Sequence, residues 1–61
     1  MPIELIKDFI DKRCCITLMT STYFEITGIV KSVEGYWIKV QEDDSLRLVN
    51  GALIRDIKVI E

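Results

Sequence analysis

The sequence predicts a mainly β domain: an N-terminal α-helix followed by a strongly bent, antiparallel sheet of five short strands, most easily closed as a small barrel. Three observations carry this expectation. Apolar residues near the N-terminus recur at helical spacing. From Cys14 onward, β-branched and aromatic residues alternate with polar ones and are broken by short turn-forming stretches. The 61 residues are also 49% hydrophobic. A chain this short buries only roughly 60% of the surface that it exposes when unfolded. So much apolar content implies an efficient barrel core together with surface hidden against other copies of the chain.

The helix is expected over about residues 2–12 of a single domain spanning 1–61. Ile3, Ile6, Phe9 and Ile10 fall at i, i+3, i+6 and i+7, on one face. Pro2 suits a first helical turn, where its missing N–H costs nothing. Glu4 lies near the positive end of the helix dipole and Lys12 with Arg13 near the negative end. Asp8 and Lys12 form an i, i+4 pair in the favourable orientation. About three turns do not hold alone in water, so the apolar face must pack on the barrel.

The barrel is expected over about residues 14–60. Ile16 and Leu18 alternate with Thr17 and Met19, and Thr20-Ser21-Thr22 reads as a loop. Phe24, Ile26 and Val30 share one parity with Gly28, a glycine that marks a bend or close backbone approach in a long second strand. Glu34-Gly35 turns the chain into Tyr36–Val40, and the acidic Glu42–Ser45 stretch turns it into Leu46–Val49. Asn50-Gly51 breaks the chain before a fifth strand over Ile54–Ile60. The expected core is Ile16, Leu18, Ile26, Val30, Ile38, Val40, Leu48 and Ile57.

Charge and residue usage narrow the function. Eight Lys and Arg against ten Asp and Glu give a net charge of −2, the reverse of a general electrostatic nucleic-acid binder. Histidine is absent, which removes the commonest general base and the commonest metal ligand. With no partner to activate a Ser or Cys and no Gly-rich phosphate loop, no enzyme is expected. No cofactor or metal is expected either; Glu42, Asp43 and Asp44 lack calcium-loop spacing and read as a charged hairpin turn. Adjacent Cys14 and Cys15 lack the spacer of a redox or zinc pair, and on a strand they point to opposite faces. The low cysteine count and the absence of a bilayer-length apolar run or signal peptide point to a cytoplasmic protein with no membrane partner.

The stretch Gly28-Ile29-Val30-Lys31-Ser32-Val33-Glu34-Gly35-Tyr36-Trp37-Ile38-Lys39-Val40 resembles the first signature motif of the Sm and Sm-like superfamily, in particular its bacterial Hfq-type branch. Gly28 matches the glycine of strand two and Glu34 the acidic turn position. Val49-Asn50-Gly51-Ala52-Leu53-Ile54-Arg55-Asp56-Ile57 is similar to the second motif, in which an Ile-Arg-Gly triplet follows a tight turn. With the N-terminal helix, the resemblance spans nearly the whole chain and is strongest to small bacterial Sm-like proteins. It implies an SH3-like barrel, the Sm-like fold, closed into a homo-oligomeric ring of usually six or seven copies by pairing strand four of one copy with strand five of the next.

The resemblance also implies a pocket for single-stranded RNA. Tyr36 matches the residue on which a base stacks, and Arg55 the arginine that holds the pocket and contacts the nucleotide; Asn50 and Lys39 are further candidates. Ile38, Gly51, Asn50 and Asp56 replace the family's base-reading asparagine, the Hfq-type histidine, its lysine and the triplet glycine. Tyr36 and Trp37 can equally pack at a subunit interface or under the helix, and Arg55 can equally pair with Asp56 or Glu34. Two functions follow: a ring subunit that binds single-stranded RNA weakly as chaperone or scaffold, or a structural ring or protein-interaction module without RNA binding.

Overall fold

The computed structural model describes residues 3–20 and 22–60, with Tyr23 by its backbone alone. Pro2 at the expected helix start and Ser21 in the first loop lie outside the described residues. Helix α1 covers only Ile3–Ile6, and a 3-10 turn follows over Lys7–Phe9. This corrects the expected helix of about residues 2–12. Ile10 is already extended, at φ −60° and ψ 135°, and Asp11 adopts φ 70°. The second strand captures the chain there: Asp11 N–H donates to the Val30 carbonyl at 2.7 Å, and Val30 N–H donates to the Lys12 carbonyl at 3.3 Å. The apolar spacing survives as a packing pattern, with Ile6 fully buried and Ile3, Phe9 and Ile10 partly buried against the core.

The early helix end also rearranges the expected charge pairs. Lys12 lies beyond the helix, so it does not meet Asp8; Lys7 instead pairs with Glu4 at 3.5 Å. Arg13 begins the first strand and reaches Asp43 at 3.8 Å.

Five strands follow: β1 Arg13–Met19, β2 Tyr23–Glu34, β3 Trp37–Gln41, β4 Leu46–Asn50 and β5 Ile54–Val59. They form one antiparallel sheet in the order β4-β3-β2-β1-β5. The sheet is open, with β4 and β5 at its edges. It nonetheless curls, because Val49 from one edge strand and Ile54 from the other join a single core cluster.

Two features of β2 produce the curl. At Gly28 a Cβ would stand 2.6 Å from the Gln41 carbonyl oxygen and 2.8 Å from Val40 Cγ1. Only glycine allows β2 to cross this close to the end of β3. Further along, the β2–β3 register passes from Val30↔Val40 to Ser32↔Lys39, leaving Lys31 as an extra residue. Such a bulge bends its strand and raises the local twist. It also switches the inward parity from Ile26, Gly28 and Val30 to Val33, opposite Ile38.

The expected core holds at Ile16, Leu18, Ile26, Val30, Ile38 and Val40, all buried, and Ile57 is partly buried against it. Leu48 is a correction: it is 61% exposed, and Val49 is buried in its place. The pairing fixes this parity. Val49 lies opposite the inward Ile38, whereas Leu48 lies opposite the outward Lys39. Ile6, Cys14 and Ile54 complete the interior. Cys14 is buried while Cys15, on the other face of β1, is half-buried, and neither is in a disulfide. Among the described residues no helix is long and apolar enough to cross a membrane.

Candidate nucleic-acid interface

The residues of the two motif-like stretches meet at one end of the sheet. Gly35, at φ 59° with open space around it, turns β2 into β3 and carries Tyr36 at the tip. The Gly51 N–H donates to the Tyr36 carbonyl at 2.7 Å, which ties this turn to the β4–β5 connection. Trp37 pairs directly with Asn50 across β3 and β4. Segments 34–37 and 50–51 are therefore one surface, although they lie far apart in sequence.

Within that surface Tyr36 is 68% exposed and Trp37 52% exposed. The helix thus covers neither ring. A large exposed aromatic on a tight turn is a suitable platform for stacking an unpaired base. Asn50 is already at work locally: its side-chain oxygen accepts from the Ala52 N–H at 2.9 Å and caps the 3-10 turn Gly51–Leu53. Its amide N–H donors and the second lone pair of its oxygen remain for a ligand.

Gly51 has a packing reason to be glycine. A Cβ there would strike Ile3 Cδ1 and lie 3.0 Å from the Tyr36 carbonyl and 3.1 Å from Ile38 Cδ1. The helix sits directly on this turn through Ile3. A side chain at position 51 is excluded by the helix contact, whatever the surface beside it binds.

Arg55 opens β5, just past the 3-10 turn. Its Nη1 donates to Asp56 Oδ2 at 3.4 Å, so the structure supplies the first of its two expected partners. This exposed pair contributes little to stability but offsets part of the guanidinium's charge toward a phosphate.

Lys39 and Glu34 stand on the outward face of the sheet. With Ser32, Trp37 and Leu48 they line a shallow depression of about 330 Å³. Leu46, on the same outward parity of β4, is 56% exposed. Sequence alternation hides this depression, because it turns Leu48 toward the core and carries no sign of the bulge just before Ser32. Among the described residues no group of three or more acidic or cysteine side chains could hold a metal ion.

At the opposite end, the acidic turn is held by its own contacts. Glu42 N–H donates to the Ser45 carbonyl at 2.8 Å, and Arg47 Nε donates to Glu42 Oε2 at 2.7 Å. Arg47 also sits 5.8 Å from the centroid of the Phe24 ring, across the open end of the curled sheet. No family model, curated protein or solved structure matches this chain.

Proposed function

We propose that this chain is the subunit of a cytoplasmic, Sm-like homo-oligomeric ring that binds single-stranded RNA weakly, as a chaperone or scaffold. The observation that carries the reading is the exposed Tyr36 ring on a turn stitched to the Asn50–Gly51 turn. Tyr36 is the stacking platform, Arg55 the cation that meets the strand, and Asn50 with Lys39 the further polar contacts. The strand order supports an SH3-like barrel, because curling β4-β3-β2-β1-β5 brings its two end strands into one core. Open edges at β4 and β5 support closure by strand addition, since unpaired edges invite pairing with another chain. Two cysteines that form no disulfide suit a reducing compartment.

A ring that holds protein alone is the second reading, and the net charge of −2 favours it. Fluorescence anisotropy with short oligo-U and oligo-A strands separates the two. Saturable binding by the intact protein that weakens in Tyr36→Ala supports the RNA reading. No binding of either oligomer, or of structured RNA, at low salt leaves the protein scaffold as the function.

A further inference from the structure

We propose that the outward depression on β3 is a base pocket selective for guanine, in which Trp37 stacks the base, Glu34 accepts from its Watson–Crick edge and Lys39 meets the phosphate. This inference deepens the RNA reading above and rests on it for the strand that carries the base.

Strand pairing lays these residues out as a grid on the outward face. Glu34, Trp37 and Asn50 stand in one cross-strand row, and Ser32, Lys39 and Leu48 in the next. Directly opposed side chains lie about 5 Å apart, and successive ones on one face of a strand about 7 Å apart. An anion, an aromatic ring and a cation therefore converge within the reach of one nucleotide. The bulge at Lys31 brings this about: Ile26, Gly28 and Val30 face inward, and the extra residue turns Ser32 and Glu34 outward. The volume of about 330 Å³ lies at the small end of the ~300–1,000 Å³ usual for ligand sites, which suits one base and its sugar. Trp37 is more than half exposed there. Glu34 and Lys39 form no ion pair among the described residues, whereas Lys31, Arg13 and Arg47 each meet a carboxylate.

The carboxylate makes the choice of base. An ionised Glu only accepts hydrogen bonds, through two oxygens held side by side. Guanine alone of the four RNA bases presents two adjacent donors on its Watson–Crick edge, N1–H and N2–H, and so meets Glu34 with two parallel bonds. Adenine and cytosine each place a ring-nitrogen acceptor beside their amino donor, and uracil flanks its single donor with two carbonyls. Each of these turns a lone pair toward the anion, the repulsive element that selectivity needs. Stacking on an aromatic ring, by contrast, tolerates every base. Trp37 thus supplies affinity and Glu34 supplies the selection.

Trp37 is the only tryptophan of the chain, so its emission reports occupancy of this site directly. The full chain is titrated with GMP, AMP, CMP, UMP and IMP, with excitation beyond the nucleotide absorption. GMP is expected to quench saturably and to bind about tenfold or more tightly than the other four, the factor that a hydrogen bond to a charged group supplies. IMP lacks only the N2 amino group, so its deficit isolates the second bond. Glu34→Gln, shown to be folded by circular dichroism, is expected to bind GMP and IMP alike. Equal binding of all five nucleotides, no saturable quenching by any of them, or a GMP preference that survives in Glu34→Gln overturns the pocket. Anisotropy with a uridine strand carrying one guanosine, against an all-uridine strand, identifies the source of the base. Tighter binding of the guanosine strand, lost in Glu34→Gln, places the base in RNA, whereas a GMP preference without that gain assigns the pocket to a free guanine nucleotide. GMP binding with neither strand bound removes the RNA reading and leaves the pocket standing. Strand binding with no nucleotide quenching does the reverse.

Discussion

Replacing Gly28 with alanine tests the curl of the sheet, on which both the core and the open edges depend. The added Cβ would lie 2.6 Å from the Gln41 carbonyl oxygen and 2.8 Å from Val40 Cγ1, against ordinary contacts of 3.4–4 Å. One of these neighbours is backbone, so β2 and β3 must separate by about 0.8 Å at a buried point of the sheet. Overpacking of this kind costs about 1–3 kcal/mol, and a rigid backbone neighbour places it near 3. Lower entropy of the unfolded chain returns about 0.4–1 kcal/mol. The net loss is about 2 kcal/mol. A domain of this size has a total stability on the order of 3–9 kcal/mol, so the loss is a large fraction of it.

The midpoint of thermal unfolding should fall by about 8–16 °C. Urea titration at one fixed protein concentration measures the change, because the ring proposed above would couple stability to concentration. Gly35→Ala is the control: it meets no atom within 4 Å, but its φ of 59° costs a non-glycine residue about 1–2 kcal/mol. A Gly28→Ala protein within about 0.5 kcal/mol of wild type would refute the close approach of β2 to β3.

Further outcomes follow from the same geometry. Val49→Ala should lose about 2 kcal/mol through its buried methyls. Leu48→Ala, from an exposed position, should change unfolding of the dissociated chain by less than about 0.5 kcal/mol in denaturant titrations. Tyr36→Ala should weaken oligo-U binding by about 1–3 kcal/mol for each base that stacks on it, read by anisotropy. The acidic balance leaves few phosphate contacts; two would give a slope of about −1.4 for log K against log salt, from titrations at several salt concentrations.

The succession of strands and turns along the chain was legible in the sequence because each had a local cause. β-branched alternation marks β1 and β3, Gly35 supplies the positive φ of its turn, and Glu42–Ser45 is too polar to be buried. What was not legible depended on partners distant in sequence. The spacing of Ile3, Ile6, Phe9 and Ile10 is helical, but the Asp11 N–H donating to the Val30 carbonyl and the Val30 N–H donating to the Lys12 carbonyl end the helix early. The Leu46–Val49 stretch has apolar residues at three of four positions, so alternation cannot choose its inward face; pairing of Val49 with Ile38 does.

The candidate site divides in the same way. Tyr36 and Glu34 stand out in sequence because a turn and an aromatic residue are local features. The depression around Lys39 does not, since it needs the bulge at Lys31 and the outward parity of Leu48. Gly51 shows the reverse case: in sequence it reads as a missing functional side chain, and in the fold it is the place where Ile3 leaves no room for one.

The central claim, a closed ring that holds single-stranded RNA, meets its most direct test in one sedimentation velocity run on the protein with a fluorescent uridine oligomer at low salt. The account predicts one protein boundary at the mass of six or seven copies, with the labelled strand moving in it. A monomer boundary, or a ring sedimenting away from an unbound strand, would contradict it.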